Sequence, residues 1–212
     1  MSSLTQLEAA KALSLCLNSN GIGHAFIGGF ALNVLGHERN TDDIDVLVHS
    51  TTAVIRKVMA ESLRKDSRFA YRGFKLFFTP SDGRHPVPIE TLPTGELGLP
   101  TSLKVFYPIY GVPVLHLDIL VLTKIKRCVN FIGSTRPASV FKFSKDEGDI
   151  LFLLNSMKDQ HQTIDFVGYE TPDPDRLYMA VQKMAQCWGN GGHVELLEAV
   201  LQPEDRGKVM AF

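Results

Sequence analysis

Phe26-Ile27-Gly28-Gly29-Phe30-Ala31-Leu32-Asn33-Val34-Leu35-Gly36-His37-Glu38-Arg39-Asn40-Thr41-Asp42-Asp43-Ile44-Asp45-Val46-Leu47-Val48 is the stretch on which the rest of the chain is read. His24-Ala25-Phe26-Ile27 has the make-up of a short strand, and it runs into two glycines. Phe30 to Leu35 reads as a short helix stopped by Gly36. A strand ending in Gly-Gly before a helix presents backbone N–H groups that a phosphate can approach closely, because no Cβ stands in the way. Ile44 to Val48 alternates into a second strand, and Asp43 and Asp45, two apart at its start, point to one face. Two carboxylates held that close repel each other unless a cation lies between them. Hard oxygen ligands on one side suit Mg²⁺, or Mn²⁺, which keeps waters and takes further ligands from substrate phosphates. The plainer account of each part stays open: Asp42-Asp43 as a turn, Gly28-Gly29 as a helix start without a ligand.

Outward from this stretch the chain reads as α/β (α+β). Residues 4–19 carry Leu4, Leu7, Ala10, Leu13 and Leu17 at helical spacing, ended by Asn20-Gly21. Thr51 or Thr52 caps a helix to about Arg64, with Val54, Ile55, Val58 and Leu63 expected inward. Phe69 to Phe78 reads as a hairpin around Gly73. Seven of the 11 prolines fall between 80 and 113, so that region is expected to hold loops and short or edge strands, Val87 to Leu92 being the best of them. From about His116 to Val129 the pattern is helical. Ser144-Lys145-Asp146-Glu147 reads as a capping box opening a helix through Met157, and two more helices are expected near 174–188 and 192–201. The expected organisation is an α/β core over 1–145 and a helical portion over 146–212, packed as one unit: a small mixed β-sheet flanked by helices.

Length and composition set outer limits. With 212 residues, 44% of them apolar and 13 Phe, the chain can bury a substantial core. No apolar run reaches the roughly 18 residues that a membrane helix needs, and Met1 to Glu8 lacks the basic start and apolar stretch of a signal peptide. Cys16, Cys128 and Cys187 are few and far apart, which reads as reduced thiols in a cytoplasmic protein. The seven histidines, among them His85, His116, His161 and His193, show no zinc spacing, and neither a Gly-x-Ser-x-Gly elbow nor a Walker-type loop occurs. The net charge of −1 excludes a uniformly basic protein, but it is an average. Residues 53–75 hold seven basic and two acidic groups, and 124–145 hold six basic and none acidic. A polyanionic partner is therefore not excluded.

The stretch from Phe26 to Val48 resembles the signature of the nucleotidyltransferase superfamily, the polymerase-β-like fold. It is most similar to the branch of minimal nucleotidyltransferases and toxins of the AbiEii and MenT type. The family has Gly-Gly or Gly-Ser, a gap, then Asp-hydrophobic-Asp; here thirteen residues separate Gly29 from Asp43. Pro113 to Lys124 resembles the family's leucine-rich helix with its lysine, and Lys145-Asp146-Glu147-Gly148-Asp149 resembles the helix start that follows. The resemblance covers about residues 20–155 and leaves the helical tail unexplained.

The resemblance implies transfer of a nucleoside monophosphate from an NTP to an acceptor hydroxyl on RNA or tRNA, a protein or a small molecule. Asp43 and Asp45 would bind the metal, and Gly28 and Gly29 the triphosphate, while Arg39 and Thr41 brace the loop. A third carboxylate is expected from a neighbouring strand. Glu90, which would complete a second metal site and help activate the acceptor, is preferred over Asp118, which falls in a helix's first turn where an acid complements the dipole. Lys124 would neutralise charge on the leaving pyrophosphate, and Asp146 would help place or deprotonate the acceptor. The alternative is a non-catalytic nucleotide- or partner-binding module on the same fold. Nothing in the sequence speaks to the oligomeric state.

Overall fold

His24–Ile27 and Ile44–Val48 are rich in β-branched, aromatic and aliphatic residues, and both segments form strands, β1 and β2. The computed structural model of the chain describes residues 4–73, 75–108 and 110–211, except for the side chain of Leu63. It divides into two compact units, residues 1–115 and 116–212.

Among the described residues, the first unit holds helices α1 (Leu4–Ser19), α2 (Gly28–Val34) and α3 (Thr52–Leu63), with seven strands. The others are β3 (Phe69–Arg72), β4 (Lys75–Phe78), β5 (Val87–Pro93), β6 (Val105–Phe106) and β7 (Val114–Leu115). They form one mixed sheet in the order β3-β4-β5-β2-β1-β7-β6. β1 pairs antiparallel with β2, while β2 pairs parallel with β5. Phe26, Val46, Ile89, Leu76 and Phe78 share one sheet face by register, and all are buried. On that side Phe30 of α2 meets the Phe26 ring edge-on at 5.2 Å, and Ser14 of α1 meets His24 Nε2 at 2.9 Å. α3 lies beside α1, Cys16 Sγ and Ser62 Oγ being 2.7 Å apart.

Two expectations for this unit are corrected. Thr51 does cap α3, accepting from the Val54 N–H, but Val54 is 43% exposed and the buried stripe is Ile55, Val58 and Met59. The expectation for Leu63 lies outside the described residues. Val87–Leu92 was expected among loops and edge strands; β5 instead lies inside the sheet, between β4 and β2. Its prolines are tolerated because each sits where one neighbour is out of register. Pro88 faces Phe77 of β4 before the ladder with β2 begins at Ile89, and Pro93 faces Val48 of β2 after the ladder with β4 has ended.

The second unit is helical: α4 (Leu117–Cys128), a 3₁₀ turn at Val129–Phe131, α5 (Pro137–Asp159), α6 (Pro174–Trp188), α7 (Gly192–Ala199) and α8 (Pro203–Val209). Proline opens α5, α6 and α8, where a missing N–H costs nothing. Ser144 is therefore not a cap. α5 begins seven residues earlier at Pro137 and runs through 23 residues, so the expected boundary at 145 falls inside it. The capping box pattern was a coincidence of composition within a helix that Pro137 had already started. α8 was not anticipated; its seven residues are too few for periodicity to register. Trp188 Nε1 donates to Glu147 Oε1 at 2.8 Å, tying α6 to α5, and the Tyr178 hydroxyl donates to Asp205 Oδ1 at 2.7 Å, tying α6 to α8. Among the described residues no helix is long and apolar enough to cross a membrane, and the cysteines are unpaired thiols.

Candidate active site

β1 ends at Ile27, whose partner across the antiparallel ladder is Asp45. The chain then turns through Gly28 with φ +66°, a left-handed conformation that favours glycine. A β-carbon placed on Gly28 would fall 2.9 Å from Asp45 Cγ and overlap its carboxylate. One placed on Gly29 would fall 2.8 Å from Thr41 Cβ and 3.0 Å from Arg39 Cζ. The glycine pair thus has a cause in packing: the loop that carries the aspartates lies directly on the start of α2. Arg39 and Thr41 form this contact.

The loop is tied down from two sides. Gln6 Nε2 of α1 donates to the Thr41 carbonyl at 2.8 Å, and the Thr41 hydroxyl donates to Asp43 Oδ1 at 2.9 Å. Asp43 itself is exposed and Asp45 is half-buried. Parallel pairing puts Glu90 of β5 directly beside Asp45, so both side chains stand on the same sheet face, and Glu90 is exposed. Asp118 has other surroundings. It lies in the first turn of α4, 1% exposed, and accepts from the Ile119 N–H at 2.8 Å, with His116 Nδ1 at 2.7 Å.

The donor set of Asp43 and Asp45 fits a hard divalent cation, which binds through one or two carboxylates and leaves its other positions to water and phosphate. Among the described residues no group of three or more His, Cys, Asp or Glu side chains is gathered closely enough to hold a metal ion. Asp45 and Glu90 are neighbours by register, and Asp43 lies two residues before Asp45 in the preceding bend.

Lys124 and Asp146 belong to the second unit and meet each other there. Lys124 lies on α4, 4% exposed, with Nζ 2.6 Å from Asp149 Oδ2 and 3.4 Å from Asp146 Oδ1. Burial pushes its pKa down, against the pull of Asp149. Arg127 grips Asp146 with two donors: Nε to Oδ2 at 2.7 Å, and Nη2 to Oδ1. Asp146 is fully buried and Asp149 nearly so. The expected pairing of Lys124 with triphosphate oxygens therefore competes with two carboxylates that it already holds. Asp149 and Arg127 were not picked out from the sequence as site residues. Their signal was present: Lys124 and Arg127 are three apart on one helix, and Asp146 and Asp149 three apart on the other, matched pairs of opposite charge.

No protein-family model matches the chain, and no curated protein does. Among solved structures, the chain is similar to an antigenic nucleotidyltransferase-like protein from Paracoccidioides brasiliensis. The TM-score is 0.70 at 16% identity, over 100% of this chain and 99% of that one. A solution structure of the antibiotic-resistance factor ANT(2'')-Ia aligns with TM-score 0.44 at 12% identity, over 76% of this chain and 95% of that one. A CCA-adding enzyme in complex with ATP aligns with TM-score 0.34 at 13% identity, over 99% and 67%. The chain has the nucleotidyltransferase fold.

Proposed function

We propose that this chain is a divalent-metal-dependent nucleotidyltransferase that moves a nucleoside monophosphate from an NTP to an acceptor hydroxyl. The observation that carries the reading is the Asp43–Asp45 pair held on the Gly28–Gly29 turn, with Glu90 beside Asp45, in a fold of nucleotidyltransferase type. Asp43 and Asp45 would hold Mg²⁺ or Mn²⁺, which supplies positive charge to the phosphate oxygens of the NTP. The Gly28–Gly29 turn, whose Cβ space is taken by Asp45, Thr41 and Arg39, would offer the triphosphate its backbone N–H groups. Glu90, beside Asp45, would complete a second metal site and help take the proton of the acceptor hydroxyl. The acceptor oxygen bonds to the α-phosphorus, the bond from that phosphorus to the α–β bridging oxygen breaks, and pyrophosphate leaves with the electron pair. Thr41 orients Asp43 through its hydroxyl, and Arg39 supports the loop. We assign Lys124 and Asp146 to holding α4 against α5, as positioning residues.

The experiment is incubation with Mg²⁺ and each labelled NTP, comparing RNA, protein and small-molecule acceptors. Transfer that disappears in Asp43→Ala and Asp45→Ala supports the reading; full activity in both would sink it. Transfer onto tRNA would favour the toxin-like branch of the superfamily. The second reading is a nucleotide-binding module on the same fold, without turnover. Magnesium-dependent thermal stabilisation by an NTP without pyrophosphate release would favour it.

A further inference from the structure

The connection that carries Asp43 from α2 to β2 has no helix or strand of its own over residues 37–42. Its start leans on α2, where the His37 N–H donates to the Leu32 carbonyl at 2.9 Å. Thr41, near its end, is wedged between two helices. Gln6 Nε2 of α1 donates to the Thr41 carbonyl at 2.8 Å, and the Thr41 side chain fills the space that a β-carbon on Gly29 of α2 would take. Because the Thr41 hydroxyl donates to Asp43 Oδ1 at 2.9 Å, a short route runs from α1 through Thr41 to Asp43. Gln6 is 4% exposed, on a helix whose other buried positions include Ala9, Ala10, Leu13 and Leu17. Burying an amide costs free energy that an apolar side chain there would not incur, so packing alone does not call for a glutamine.

α1 is itself fastened by a turn that the sequence uses twice. In Asp66-Ser67-Arg68 and in Asp82-Gly83-Arg84 the Arg N–H donates to the Asp Oδ1, at 3.1 and 3.2 Å. In both, the Arg Nε bonds the same carboxylate, at 3.0 and 2.6 Å. One turn precedes β3 and the other follows β4, and both guanidinium groups reach α1. Arg68 Nη1 meets Glu8 Oε1 at 3.2 Å, Arg84 Nη2 meets Glu8 Oε2 at 2.8 Å, and Arg84 Nη1 donates to Thr5 Oγ1 at 2.8 Å. A single half-exposed ion pair holds little. Two guanidinium forks, each already oriented by its own aspartate, fix the one carboxylate between them in place. Thr5 and Glu8 thus anchor the helix on either side of Gln6 in sequence.

We propose that Gln6 is a positioning residue for the metal-binding loop: it acts through Thr41 on Asp43, and the twin Asp-x-Arg turns hold α1 so that it can. The loop is then ordered before a cation arrives, and the ordering is not drawn from the binding free energy. The inference rests on the nucleotidyltransferase reading for the purpose of the tie, but not for the tie itself.

The test uses the full chain and two readouts that do not depend on turnover. One is hydrogen exchange of the amides at 39–43. The other is Mn²⁺ binding with the α,β-methylene analogue of ATP, followed by the paramagnetic resonance of the free ion. Gln6→Met keeps the length of the side chain and removes the donor. It should quicken exchange at 39–43 about fivefold and weaken Mn²⁺ binding about fivefold, the worth of one neutral hydrogen bond. Gln6→Asn, whose amide is one methylene too short, should behave alike, and Glu8→Gln should quicken the loop by only about twofold. In a Thr41→Val background, where the hydroxyl no longer reaches Asp43, Gln6→Met should still quicken the loop but weaken Mn²⁺ binding by about twofold or less. Thermal unfolding checks that all variants fold.

Unchanged exchange or unchanged Mn²⁺ binding in Gln6→Met overturns the proposal, as does a full loss of affinity that persists in the Thr41→Val background. The expected Gln6 effects in a wild type that shows no transfer keep this inference and sink the enzymatic one. Transfer that disappears in Asp43→Ala, with a loop unmoved by Gln6→Met, does the reverse. A wild type that binds no Mn²⁺ overturns both.

Discussion

Asp45 occupies the space that a side chain on Gly28 would need, Asp45 Cγ lying 2.9 Å from where a β-carbon would be. The glycine and the aspartate are seventeen residues apart in sequence and form one packing unit. A substitution at either therefore acts on both the strand end and the carboxylate.

Gly28→Ala should lose metal-dependent NTP binding and stability together. The left-handed backbone costs a β-carbon about 1–2 kcal/mol, and the overlap with Asp45 adds to it. Gly21 is the control, with φ +67° and nothing within 4 Å of the position a β-carbon would take. Gly21→Ala should show the backbone cost alone and keep NTP binding. Urea denaturation with NTP-dependent thermal shifts compares the two; equal behaviour would mean that Asp45 does not constrain Gly28.

Thr41→Val keeps the shape beside Gly29 and removes the hydrogen bond to Asp43. A hydrogen bond to a carboxylate contributes about 1.5 kcal/mol, so kcat/KM should fall about tenfold at saturating metal, with a larger deficit when Mg²⁺ is limiting. A magnesium titration of activity reads the difference, and an unchanged metal dependence would count against the role given to Thr41.

Lys124→Met should destabilise the chain by about 3–5 kcal/mol, because it leaves the buried carboxylates of Asp149 and Asp146 without their ammonium partner. Lys124→Met/Asp149→Asn should recover part of the loss. A single variant with wild-type stability but no activity would instead return Lys124 to the phosphate role read from the sequence.

His24 is buried against Ser14, and burial lowers its pKa from the ordinary 6.5. The folded chain then binds this proton less readily than the unfolded chain, so its contribution to stability is complete above pH 6.5 and is lost as pH falls below it. Melting temperatures between pH 7.5 and 5 should drop more steeply for the wild type than for His24→Gln. Parallel curves would refute the assignment.

Most of the first unit was legible because its signals are local. Asn20-Gly21, Gly28-Gly29, Gly36 and Thr51 punctuate short apolar runs, and β1, β2, α1 and the hairpin follow them closely. Where local signals misled, a neighbour prevailed. Proline content argued β5 towards an edge, yet its prolines sit where a partner strand is absent, and the buried Val87 and Ile89 carry it into the sheet. Ser144 looked like a cap because a Ser–Glu spacing carries no mark of whether a helix has already begun.

By itself the sequence determined the local grammar: a strand, two glycines, a short helix, and two aspartates at the start of a second strand. Each of these depends on residues within a few positions of one another. Tertiary structure alone decided which groups meet. Glu90 stands beside Asp45 because of a strand register spanning 45 residues, and Lys124 meets Asp149 across two helices 25 residues apart. Register and burial are settled by the sum of all contacts on a face. No short stretch of the chain carries that sum.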